Sequence, residues 1–206
     1  MPRFTQSKFL LAIFLCSLCG CQSPKNQAMI SGYQESADSG NKSFDLVARN
    51  NSLSLLEELL NEEKGLSYIL IIKSASPQLK QLVKNISKTA SAGAKLIAAE
   101  KKQDAGLRLA GNGLPPGEKA TREKISKIKE HDLLHSKNAE FELQLLLTQV
   151  EALSYGAQLA LTAADNDPQT SRARKFASLS GQLSLLHEQV VAMLRSKGQS
   201  SSPGKP

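Results

Sequence analysis

NAEFELQLLLTQVEALSYGAQLALTAA, residues 138–164, is the run whose pattern points most directly to an architecture. Within it Leu143, Leu146, Val150, Leu153, Ala157, Ala160 and Ala164 recur at alternating spacings of three and four. That alternation places them on one stripe of an α-helix. Phe141, Leu145, Leu147, Leu159 and Leu161 widen the stripe until most of the circumference is apolar. A helix of this kind needs neighbours on nearly every side and reads as the centre of a bundle. It does not read as a membrane span, because Glu140, Glu142, Gln144, Gln149, Glu151 and Gln158 interrupt it.

The segments on either side carry the same periodicity. Residues 43–75 form the first helical region, with Leu46, Leu53, Leu56, Leu60 and the run 66–72 on its apolar face. Glu57, Glu58, Glu62 and Glu63 give that region an acidic face, and Gly65 is where it kinks or divides. Ser76-Pro77 opens the second helix, serine as N-cap and proline first inside. Leu79, Val83, Ile86, Ala90, Gly93 and Ile97 mark its stripe to about residue 103, and small Ala90, Gly93 and Ala94 allow a neighbouring backbone close.

On another face Lys80, Lys84 and Lys88 stack at four-residue intervals. They form a solvated face, or they dock to the acidic first helix or to an anionic envelope surface. Residues 104–117 hold four glycines and Pro115-Pro116 and form a loop. A polar third helix covers about 118–137, anchored by Ile125, Ile128, Leu133 and Leu134. It merges with the central helix, 138–165, or meets it at a bend near 136–138. The last helix, 168–196, starts at Asp167-Pro168 and carries Phe176, Leu179, Leu183, Leu186, Val190 and Met193 as its stripe. From 198 to 206 the chain reads as a disordered tail.

The sequence therefore predicts an all-α fold, an antiparallel four-helix bundle spanning about 43–197. The chain has no Trp and 4% aromatics. A core filled by Leu, Ile, Val and Ala favours helix-on-helix packing over a sheet.

The front of the chain reads as an address. Arg3 and Lys8 precede residues 9–18, apolar except for Ser17, and Leu18-Cys19-Gly20-Cys21 follows. The pattern is that of a secretory signal, residues 1–20. The tetrapeptide resembles the lipobox of bacterial lipoproteins. That resemblance implies cleavage after Gly20 and acylation of Cys21, and several acyl chains anchor firmly where one is marginal. Residues 21–42 then form a lipidated start and a flexible tether rich in Gln, Ser, Asn and Gly. Its reach is on the order of 25 Å. Gln22 rather than Asp follows the cysteine, which by resemblance to enterobacterial sorting implies, for a bacterium with two membranes, the periplasmic face of the outer membrane.

Processing also settles the cysteines. Cys16 and Cys19 leave with the signal and Cys21 carries lipid, so no disulfide or thiolate chemistry is expected. Of 26 basic residues Arg3 and Lys8 leave as well, so 24 face 19 acidic ones. That modest excess, on a secreted chain without stacking aromatics between the lysines, argues against nucleic acid as a partner.

Candidate chemistry is sparse. His131 and His135 lie one helical turn apart, Asp132 stands three before His135, and His187 sits on the last helix. Two imidazoles at this spacing can chelate a metal, and carboxylate-x-x-His is a pattern of di-iron bundles. Ser184 rather than glutamate stands three before His187, so only half of such a site is present. Arg172, Arg174 and Lys175 crowd the start of the last helix, where the helix dipole disfavours cations. Asp165 and Asp167 neutralise them, or an anion binds there. No phosphate loop, nucleophile elbow or His-Glu-x-x-His occurs.

Phe141-Glu142 with Leu146, Gln149, Val150 and Ala152, Leu114-Pro115 in the loop before it, and Leu183 with His187 complete the pattern. It resembles the ferritin-like, four-helix envelope proteins of unknown function that are labelled only as membrane proteins. The resemblance covers about 44–194 and implies a ferritin-like bundle. Ala90 and Leu153 stand where that family tends to carry further histidines and only His187 is kept, so it implies the fold and no site. The expectation is a lipid-anchored envelope protein with a non-enzymatic structural or binding role and no cofactor. The alternatives are a metal- or cofactor-binding bundle using His131, Asp132, His135 and His187, and one holding lipid or a small apolar ligand.

Overall fold

The computed structural model describes residues 43–109 and 114–200, and everything in that range is helix or connection. The signal, Cys21 and the tether lie outside the described residues. Helix α1 spans Leu46–Glu63, and a 3-10 turn, Leu66–Tyr68, leads into the one-turn helix α2, Ile69–Ile72. Then come α3, Pro77–Gln103; α4, Pro116–His135; α5, Asn138–Asp165; and α6, Thr170–Ser200. The fold is all-α and bundle-like.

Apolar spacing explains the packing. Leu53, Leu56 and Leu60 of α1 are almost wholly buried, as are Val83, Ile86 and Ile97 of α3. Leu145, Leu146 and Leu153 of α5 and Phe176, Leu183 and Val190 of α6 meet them in one core. Each fully buried side chain of this size contributes about 1.5–3 kcal/mol. Close approach is set by two glycines. A Cβ on Gly93 would stand 2.9 Å from Leu60 Cδ1 and 3.0 Å from Leu179 Cδ1, and one on Gly156 3.0 Å from Leu59 Cδ2. Leucine side chains, not a neighbouring backbone, occupy the space the small residues leave.

Helices α1, α3, α5 and α6 form a ring in which each packs on two of the others. The start of α1 meets the end of α5, where Asp45 N donates to Asn166 Oδ1 at 3.1 Å, and Leu59 lies at Gly156 further along. Ser87 Oγ of α3 donates to Glu63 O, while Lys101 of α3 reaches back to Glu57 at 3.1 Å. Lys175 of α6 meets Glu100 of α3 at 2.6 Å, and Lys197 of α6 meets Glu142 of α5. Every one of these neighbour pairs is antiparallel. It follows that α3 and α5 run in the same direction, and the connection between them, which contains α4, crosses the length of the bundle.

Several expectations change in detail. The first region divides at Gly65, and α6 begins at Thr170, two residues later than read, because Asp167 Oδ1 takes Gln169 N at 2.9 Å instead. Helix α6 also continues through Ser196 and Gly198 to Ser200. Ser76 is the N-cap of α3 without a side-chain cap bond; its amide donates to Glu142 Oε1. Helices α4 and α5 stay separate, with extended backbone at Ser136 and Lys137. Lys73 Nζ ties that bend to α2 by donating to Ser136 O at 2.8 Å and to Leu134 O.

The central helix is not covered all round, since Leu143 and Leu147 are exposed. Of the four α4 anchors Leu133 is buried, whereas Ile128 is exposed and Leu134 partly so. Glu63, read as part of the acidic face, is buried, because it falls three residues after Leu60 on the apolar stripe.

Candidate functional site

The candidate residues within the described range fall in three places. His131 and His135 sit at the end of α4 with ring centroids 4.0 Å apart and planes 24° apart. His131 Nδ1 lies 3.3 Å from Asp132 Oδ1, and His135 Nδ1 pairs with His131 O at 2.7 Å. All three side chains are exposed. His187 is half-buried on α6, and burial lowers its pKa and favours the neutral ring against the opposing pull of Glu188. Among the described residues no group of three or more His, Cys, Asp or Glu side chains is arranged to hold a metal ion. His131 and His135 come together, and His187 does not join them.

The basic cluster at the start of α6 is engaged by the protein itself. Arg172 is buried and its fork grips Asp167, Nε to Oδ2 at 2.5 Å and Nη2 to Oδ1 at 2.9 Å. Its Nη1 reaches Asp104 Oδ2 at 2.6 Å. Burial lowers the pKa of Arg172, but the two carboxylates outweigh it and the net shift is upward. Asp104 is held below its ordinary value, first by Arg172 and then by the Gly106 amide. Arg49 completes the cluster from α1, donating to Gly106 O at 3.1 Å and Asn50 Oδ1 at 3.0 Å. Lys175 takes Glu100, while Arg174 is exposed. Asp167 neutralises Arg172 as one reading had it; the second carboxylate is Asp104, not Asp165.

At the opposite end of α1 lies a polar group that sequence reading missed. Glu63 is 5% exposed and Gln149 of α5 is 2% exposed. Among the described residues, Glu63 Oε2 and both Gln149 side-chain polar atoms lack a partner at good hydrogen-bond geometry. Burial pushes the Glu63 pKa up to about 7, with the Gln149 amide pulling the other way. Ser87 adds a hydroxyl beside them, donating to Glu63 O at 3.2 Å and accepting from Ser67 N at 3.1 Å. A carboxyl in this setting is protonated through much of the acidic and neutral range and can give or take one proton inside the bundle. The signal for it was present: Arg49, Leu53, Leu56, Leu60 and Glu63 are spaced four, three, four and three.

A second carboxylate at that end is Glu142. Burial raises its pKa, but Lys197 and Ser76 outweigh burial and the net shift is downward. It joins α5, α6 and the start of α3 and acts as a staple. No family model, no curated protein and no solved structure matches the chain. Fold and geometry define an all-α, bundle-like protein whose buried charges are used to fix helix ends.

Proposed function

We propose that this chain is a lipid-anchored helical-bundle protein of a bacterial envelope, with a non-enzymatic structural or binding role. The observation that carries the reading is Leu18-Cys19-Gly20-Cys21 placed directly after a basic start and an apolar run. Among the described residues no helix is long and apolar enough to cross a membrane. A ferritin-like connectivity is part of the proposal. It is supported by antiparallel neighbours around the bundle together with a single long crossing between α3 and α5, the arrangement of that class.

Several charged side chains at the helix ends are engaged in packing. Arg172 with Asp104 and Asp167, Lys175 with Glu100, and Lys197 with Glu142 join different parts of the fold. Such pairs are in keeping with a scaffold or binding module. The test is Cys21→Ala in cells. The variant is expected to take up no radiolabelled palmitate; uptake of label by the variant would overturn the anchor.

A further inference from the structure

Residues 64–99 contain six lysines and no aspartate or glutamate. Four of them, Lys80, Lys84, Lys88 and Lys95, are exposed on α3. At 3.6 residues per turn they fall within an arc of about 80° and extend over about 22 Å of the helix axis. The acidic side of α1 does not take them, since Glu57 pairs with Lys101 near the far end of α3. None of the four makes an ion pair or side-chain hydrogen bond among the described residues. A row of unneutralised like charges is repulsive along a helix and calls for an anionic counterpart.

The row has an apolar neighbour. Ser87 marks the edge of the buried side of α3, about 60° round the helix from Lys84. Its hydroxyl accepts from Ser67 N, so the Leu66–Tyr68 turn lies along the lysine edge. The chain continues into α2, where Ile71 is 78% and Ile72 67% exposed, with Tyr68 also exposed at the turn. Large aliphatic side chains this open, next to an aromatic and a basic row, have the composition of a segment lying in a lipid interface. Lys73 is not part of the row, being tied to the α4–α5 bend.

We propose that this face, the α2 turn together with the Lys80, Lys84, Lys88 and Lys95 row, binds an anionic lipid bilayer, with Ile71 and Ile72 entering the interface and the lysines on the headgroups. The charge pattern selects a surface of repeated negative charge. The inference rests on the envelope reading above for the presence of a bilayer and adds a second contact that does not use Cys21.

The chain has no tryptophan, so Ile71→Trp in the full chain is a single reporter. Mixed with vesicles of phosphatidylglycerol and phosphatidylcholine, its emission is expected to shift to the blue and to be quenched by brominated acyl chains. With phosphatidylcholine alone it should stay at the wavelength of wet indole. Lys80→Glu, Lys84→Glu and Lys88→Glu together should weaken the response to anionic vesicles by about 100-fold, since each lysine near such a surface is worth about tenfold or less. Leu147→Trp, on α5 diagonal to α3, should stay wet throughout. Ile72→Trp repeats the measurement should Ile71→Trp fold poorly by circular dichroism.

Wet emission from the 71 and 72 reporters with anionic vesicles overturns the proposal. So does an equal response to neutral vesicles, or a blue shift that grows with protein concentration without lipid, which would mark a second copy as the occupant. The two readings separate cleanly. Palmitate on Cys21 with a wet reporter removes this contact and leaves the anchor; a responding reporter on an unacylated chain does the reverse.

Discussion

Glu63 is where one residue alters the behaviour of the whole chain. Its folded pKa stands at about 7 against an ordinary 4.5, raised by burial. Below pH about 4.5 the carboxyl is protonated folded and unfolded, and its relative contribution to stability is fully present. As pH rises toward 7 the unfolded chain releases the proton and the folded one holds it, so stability falls through that window and levels off above it. The size is on the order of 3 kcal/mol. Glu63→Gln is therefore expected to raise the urea midpoint at pH 8 and to flatten the decline between pH 5 and 7. An unchanged slope in that window would place the titration on another group. This residue was legible in principle, since it keeps step with Leu53, Leu56 and Leu60, but a search for apolar letters passes over a glutamate in the same stripe.

At the scale of elements, charges do what apolar stripes cannot: they fix which helix ends meet. Arg172 joins the start of α6 to Asp167 in the α5–α6 turn and to Asp104 at the end of α3. Removing one partner from such a buried group leaves uncompensated charge, so Arg172→Ala should destabilise the protein by about 3–5 kcal/mol in chemical denaturation. A loss under about 1 kcal/mol would mean that the cluster is screened by solvent. The sequence flagged Arg172 and Asp167 by their position at a helix start, yet Asp104 is 68 residues away and Arg49 lies on another helix. Nothing local joins them. Helix α5 was readable because its period is strong. Ile128 and Leu134 of α4 were misread because a polar helix resting on one neighbour offers no deep face to bury them.

For the whole molecule, the pattern of apolar faces implied a bundle but left its order open, since stripes say that helices pack and not which pairs do. The cross-helix contacts supply that order, and the buried Glu63, the Arg172 cluster and the outward lysine face all depend on it. Its defining consequence is that α3 and α5 run the same way across the bundle. Spin labels on cysteines placed at 80, 102 and 140 in the full chain, with Cys16, Cys19 and Cys21 replaced by serine, measure this by pulsed electron resonance. From helix rise and spacing, the pair 80 and 140 is expected at about 30 Å and the pair 102 and 140 at about 50 Å. The reverse, with 102 and 140 the shorter pair, would contradict the account.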